Sequence, residues 1–314
     1  MQHVHTIGPP GHQRAIAGSR GGFTLIELLV AVFLSIVVIV VLLPAVSPRN
    51  RHPGGHRQLK DSTQVRGILQ GMIIWAQNNQ DDYPLPSNVD KNDTTVGTIG
   101  AAKDTSSNIF SLLIYNGFVP TEMFKSPAEV NRSIDVYEDY EFDAPSTAVV
   151  PNSALWDPAF HASPSAPFNI GTAANSADIG NNSYAHTAPV DARRPLWGAT
   201  FVATEAAIAN RGPGVIRVDQ TPEGPVPVFD PQSNTNLIHG SRTKWEGNVG
   251  YNDNHVSFET RLGPEGLTYK TAAGKERPDL IFFDEPDDPT GTNAYLGIWI
   301  TAGDTRKDYT SWVD

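Results

Sequence analysis

A run of apolar residues from Phe23 to Val46, carrying Glu27 as its only charge, constrains this chain more than any other feature. About 20 such residues form a helix of about 30 Å, the thickness of a bilayer's hydrocarbon core. The run is dense in Val and Ile, which are mediocre helix formers in water. In lipid the backbone must satisfy its own hydrogen bonds, so helix wins. A carboxylate inside such a helix is expensive and needs a partner or a function. The first expectation is therefore a membrane anchor over residues 23–46 with Glu27 as its functional group.

Residues 1–22 carry Arg14 and Arg20, no acid, and end in Gly21-Gly22. A cut after Gly22 frees the amine of Phe23, which is protonated near neutral pH given a reference pKa of about 7.7–8.0. That amine can neutralise Glu27 of a neighbouring subunit in a packed helical fibre. Gly22-Phe23-Thr24-Leu25-Ile26-Glu27 resembles the prepilin motif of type IV pilins and type II secretion pseudopilins. The resemblance implies cleavage after Gly22 by a prepilin peptidase, methylation of the Phe23 amine, and Glu27 as the assembly carboxylate. An ordinary secretory signal peptide cut near Ala45-Val46-Ser47 fits less well, because Pro48 follows that site and Glu27 has no place in a signal core. Lys and Arg counts point the other way: two in the leader, against Arg49, Arg51, Arg57 and Lys60 beyond the run. The processing motif outweighs them, since its peptidase acts on the cytoplasmic face. The resulting placement is the cytoplasmic membrane, single-pass, with the globular part outside.

Pro44 bends the end of the apolar helix, and residues 47–57 read as a basic Pro/Gly linker. Helical patterning resumes over 58–82, with Val65, Leu69, Met72 and Ala76 on one face and Ile68 and Trp75 beside it. Gly67 and Gly71 each cost about 1 kcal/mol relative to Ala. Their spacing allows close helix approach, although simple tolerance in a packed helix is the reading favoured by the sequence. Leu43-Pro44-Ala45, Lys60 to Gly67, and Asn78-Asn79 before Tyr83-Pro84 are similar to a large subgroup of pilin-like proteins.

Residues 83–314 read as a loop-rich globular region. A surface loop covers 87–106. A short helix follows at Ile109–Tyr115, with Phe110, Leu113 and Ile114 inward and Asn116-Gly117 as its stop. The stretch ending Phe124-Lys125-Ser126-Pro127 resembles the subgroup's Phe-x-Cys-Pro turn with Ser126 in place of Cys. Strands are expected at Tyr137–Asp143, at Asn182–His186, and between Pro195 and Glu205. His239 and a hairpin at Gly247–Glu259 resemble a C-terminal signature of the prepilin-type, processing-associated family, His-x9-Asp-Gly-His-Val. Here thirteen residues separate His239 from Asp253, Asn254 replaces Gly, and His255 follows. Asp253-Asn254 are expected to supply the turn's positive φ angles.

Charge and composition narrow the functions. Before residue 61 the only acid is Glu27; from there on 33 acids face 17 Lys and Arg. Such a domain is a poor partner for nucleic acid. The absence of cysteine removes disulfides, thiolate metal sites and cysteine nucleophiles. His239, Asp253 and His255 have metal-ligand chemistry, but a structural hairpin is the preferred reading. Asp284, Glu285, Asp287 and Asp288 offer hard oxygens for Ca²⁺, as the resemblance to major pseudopilins suggests. Their spacing is not that of a calcium loop, however, and acid runs are usually solvated. No cofactor is expected. Phosphate-loop, nucleophile-elbow and zinc-protease motifs are missing, so an anchored hydrolase is disfavoured.

The expected fold is α+β: a kinked N-terminal hydrophobic helix packed on a small antiparallel sheet with long loops, as in pilins. The expected function is a structural pilin-like subunit, not an enzyme. It would assemble with other pilin or pseudopilin subunits through residues 23–46 into a type II secretion-like or pilus fibre. The alternative is a membrane-anchored surface or periplasmic binding protein, such as a minor pilin that recognises carbohydrate. Exposed aromatics among Trp156, Trp197, Trp245 and Trp299 would favour that alternative.

Overall fold

The computed structural model describes residues 53–165, 179–240 and 242–314, with positions 25, 30 and 32 before them. The chain divides into two compact units, residues 1–51 and 52–314. The leader, the Gly22–Phe23 junction, Glu27 and the Pro44 bend lie outside the described residues. Among the described residues no helix is long and apolar enough to cross a membrane.

The second unit is α+β. Helix α1 is described over Pro53–Gln77, so 53–57, expected as linker, are helical. The helix ends where Gln80 and Asp81 adopt left-handed φ of 59° and 64°. Its apolar stripe is buried as the spacing predicts: Val65, Ile68, Leu69, Met72 and Ala76 are fully enclosed and Trp75 nearly so. A one-turn helix α2 (Pro86–Val89) and helix α3 (Ser106–Tyr115) follow. Thr105 caps α3 by accepting from Asn108 N, and Gly117 closes it with φ 73°.

Six strands form one antiparallel sheet in the order β10-β9-β1-β2-β5-β6: Thr310–Trp312, Leu296–Thr301, Tyr184–Thr187, Ala206–Asn210, Gly247–Tyr251 and Val256–Glu259. Two ribbons stand apart from it, β3 (Val215–Thr221) with β4 (Gly224–Phe229), and β7 (Thr268–Lys270) with β8 (Glu276–Pro278). Helix α1 lies across β5, β2 and β6. Gly250 of β5 permits that approach, because a Cβ there would come within 3.1 Å of Val65 and 3.3 Å of Leu69. Tyr184 and Ile208 face the helix core, while Ala185, Ala209 and Val249 meet Trp245, Ile281 and Phe282 on the other side. Both faces of the sheet are therefore covered.

Gly67 and Gly71 of α1 are sites of close approach, contrary to the tolerance reading. A Cβ on Gly67 would lie 2.2 Å from Met123 Cε, and one on Gly71 2.5 Å from Val119 Cγ2. The segment after α3 presses on this face of the helix.

Two expected strands are absent. Tyr137–Asp143 is irregular, and its polar groups are taken up by residues from other parts of the chain: Asp157 Oδ2 accepts from Glu141 N, and buried Tyr140 donates to Ser111 O. Between Pro195 and Glu205 the chain leaves a 3₁₀ turn (Asp191–Leu196) and continues without a strand until Ala206. In the β5–β6 turn only Asn254 has positive φ, 69°. Asp253 instead accepts from His255 N at 3.1 Å, an Asx-type turn that needs no left-handed residue at 253.

Candidate functional site

The helix–sheet junction contains one fully buried carboxylate, Asp61 of α1. It occupies the apolar stripe four residues before Val65. Its Oδ1 accepts from Ser126 Oγ at 2.6 Å and Tyr184 OH at 2.8 Å. Its Oδ2 accepts from Asn248 Nδ2 at 2.6 Å and His239 Nε2 at 3.0 Å. Four donors thus converge from the turn after α3, from β1, from β5 and from the loop before β5. Burial raises the Asp61 carboxyl, but hydrogen bonds from His239, Ser126 and Tyr184 outweigh it and hold the group below its usual range. Burial and the Asp61 charge push the Tyr184 phenol well up, so it remains a neutral donor. Asn210 Oδ1 extends the network to Asn248 N at 2.7 Å and His239 Nε2 at 3.3 Å.

Ser, His and Asp meet here without the order a nucleophile needs. Ser126 and His239 each donate to Asp61, on different oxygens, so the imidazole does not accept the serine proton. A second pair, Ser106 and His186, does have nucleophile–base geometry, with Ser106 Oγ 2.8 Å from His186 Nε2. Thr187 O takes the proton of His186 Nδ1 at 2.9 Å. Both residues are fully buried, with Phe110 and Trp197 rings against the imidazole. Burial pushes His186 down to about 4, so it is a weak base enclosed in the core. Clefts of about 330, 380 and 480 Å³ lie elsewhere on the described surface, lined by neither group.

The signature residues separate into two places. His239 packs edge-on to Phe258 of β6 and reaches α1, whereas Asp253, Asn254 and His255 form the hairpin turn. His255 stacks on Tyr251 with ring centroids 4.3 Å apart. The four acids considered for calcium are engaged individually. Asp284 pairs with Arg193 at 2.6 Å and Arg306 at 3.2 Å. Glu285 accepts from Leu280 N and Asn293 Nδ2. Asp287 accepts from Tyr269 OH and Arg277, each at 2.7 Å. Asp288 accepts from the backbone of Thr290, Thr292 and Asn293. Among the described residues no group of three or more His, Asp or Glu is placed to hold a metal ion.

Of the six tryptophans, the four considered for ligand recognition are core residues with satisfied indoles. Trp156 donates to Asn108 Oδ1, Trp197 to Pro84 O, Trp245 to Arg211 O and Trp299 to His186 O, at 2.9–3.1 Å. They present no aromatic surface to a ligand. The sequence reading passed over Asp61 as a site, although an acid on an apolar helical stripe was a usable signal. Gly22, Phe23 and Glu27 lie outside the described residues. No family model, curated protein or solved structure matches the chain.

Proposed function

We propose that this chain is a pilin-like structural subunit, cut after Gly22, methylated on Phe23 and held in the cytoplasmic membrane by residues 23–46. Its assembly into a type II secretion-like or pilus fibre rests on the packing of those apolar segments, with each Glu27 neutralised by a neighbour's Phe23 amine. The globular part lies on the outer side of the membrane, and the described part of the chain performs no catalysis in this reading.

The observation that carries the reading is the order Gly22-Phe23-Thr24-Leu25-Ile26-Glu27 at the head of an apolar run. The architecture beyond residue 52 is compatible with it: a helix with one apolar stripe covers an antiparallel sheet, which is how a pilin-like head is built. The burial of Trp156, Trp197, Trp245 and Trp299 takes those four rings away from any surface that could recognise carbohydrate.

The test is mass spectrometry of the N-terminal peptide from protein recovered from native membranes. The expected result is a peptide beginning at N-methylated Phe23. An intact Met1, or a terminus near Pro48, would overturn the reading.

A further inference from the structure

Strand β3 is the longest among the described residues, and all seven of its residues, Val215–Thr221, are exposed. Among the described residues its only strand neighbour is β4. The β4 side of the ribbon is tied down: Arg277 Nη2 donates to Pro225 O at 2.8 Å, and Pro227 is buried. On its other side, among the described residues, β3 has a row of backbone donors and acceptors with no strand partner, flanked by exposed Val215, Ile216 and Val218. Such an edge is a template for another strand unless something blocks it. The other edge strands are less suited. β6 is half-buried along its length, and β10 has three residues with a register shift.

We propose that β3 pairs edge to edge with β3 of a second copy of this chain, antiparallel and centred on Val218. The occupant follows from the charges. Arg217 and Asp219 flank Val218 symmetrically and share one face of the strand. In the antiparallel register centred on Val218, Arg217 stands opposite Asp219 of the second copy, and Asp219 opposite its Arg217. Opposite charges directly across a ladder stabilise, and like charges destabilise. Competing registers are penalised. A parallel in-register pair, or an antiparallel pair centred on 217 or 219, sets like charges against each other. A slip of one residue leaves both charges unmatched. In the single chain the two side chains pair with each other at 2.9 Å, so their charges are already poised on the same face. The contact is isologous and closes on itself as a two-fold pair. It does not depend on how residues 1–52 are processed or packed.

The chain has no cysteine, which makes the test clean. Val218→Cys in the full chain, oxidised mildly in solubilised membranes, should give disulfide-linked dimers. Cα atoms facing across an antiparallel pair lie about 4.5–5.5 Å apart, within disulfide reach. Ile99→Cys, at a position more open still (75 % exposed against 38 % for Val218), should give about tenfold less, the level of random collision. Adding Arg217→Asp to Val218→Cys should lower the dimer yield about tenfold, because two attractive pairs become repulsive. Arg217→Asp with Asp219→Arg should restore it. Equal crosslinking at 218 and 99, no response to Arg217→Asp, or no recovery in the double exchange would each overturn the proposal.

Discussion

Asp61 in α1 and His239 before β5 lie 178 residues apart in the chain and meet at 3.0 Å between Oδ2 and Nε2. The contact joins the helix to the region that the sequence singled out as a C-terminal signature. It gives that histidine a physical role. His239 reaches past Phe258 and helps fix the helix on the sheet through a shared carboxylate. Asn248, on the strand beside it, binds the same oxygen at 2.6 Å.

Removing Asp61 should therefore cost more than removing any one of its donors. Asp61→Ala removes the shared acceptor of four buried donors, leaving Ser126 without one and Tyr184, His239 and Asn248 with only their longer contacts to Gln64 and Asn210, and a loss of about 3–5 kcal/mol is expected. Ser126→Ala leaves Asp61 three donors, and its cost should be about 1–3 kcal/mol. Urea denaturation of the two variants checks the order. A change below about 1 kcal/mol for Asp61→Ala would mean the network is slack.

The same carboxylate predicts acid sensitivity. Its pKa in the fold lies below the ordinary value of 3.8, so the unfolded chain takes up the proton first. The stability it contributes is complete above the unfolded value and disappears as pH falls through the lower, folded one. Glu129, held down by Arg211 against the opposing effect of burial, behaves alike. Stability measured from pH 5 to pH 2 should fall more steeply in the parent than in Asp61→Asn.

Asp279 works in the opposite direction. Burial pushes it up from 3.8 to about 7, with Ala294 N and Arg193 only partly compensating. Its Oδ2 accepts from Ala294 N at 2.7 Å, while its Oδ1 is buried without a hydrogen-bond partner. Below the unfolded value both states are protonated. Between there and about pH 7 the fold keeps a proton that the unfolded chain has lost, so stability falls as pH rises, by at most about 4 kcal/mol. Asp279→Asn keeps the oxygen that accepts from Ala294 and removes the titration. Its stability curve should be flatter than the parent's between pH 4 and 7. Glu285, raised to about 9 by burial and by Asp279, titrates in both proteins, so the difference between the curves is the quantity to read.

Gly67 and Gly71 of α1 should respond unequally to alanine. At Gly67 the new Cβ meets the flexible end of Met123, which can swing away, and the helix gains propensity worth about 1 kcal/mol. At Gly71 it meets the branched Val119 side chain, with the Phe118 carbonyl 3.4 Å away, and overpacking should cost about 1–3 kcal/mol. Gly67→Ala is expected to be neutral or mildly stabilising, and Gly71→Ala destabilising. Midpoints of urea denaturation for both variants decide this.

Periodic patterns were legible in the sequence, and contacts set by distant chain were not. Val65, Leu69, Met72 and Ala76 repeat at helical spacing and are buried together. The α3 stop at Asn116-Gly117 and the β5–β6 hairpin depend on local chemistry and appear where expected. Tyr137–Asp143 alternates like a strand, yet Ser111 and Asp157, distant in sequence, capture its polar groups. The four-donor site on Asp61 draws on residues 126, 184, 239 and 248, a convergence only the folded topology creates. The acid run at 284–288 reads as one cluster in sequence, but Arg193, Arg277 and Arg306 draw its members apart.

The last prediction concerns the proposed assembly. Glu27 is the only charge in the run from Phe23 to Val46, so its ionised form needs a cation there. If that cation is the Phe23 amine of a neighbour, Glu27→Ala removes an attraction between subunits and leaves the cleavage site at Gly22 intact. The variant should then be processed to an N-methylated Phe23 terminus yet yield few fibres. Glu27→Asp should recover part of the yield, since it keeps the charge on a shorter arm. Mass spectrometry of the terminus and electron microscopy of sheared material read the two steps separately. Normal fibres from Glu27→Ala would remove Glu27 from assembly, whereas a failure of cleavage would place its role at the peptidase.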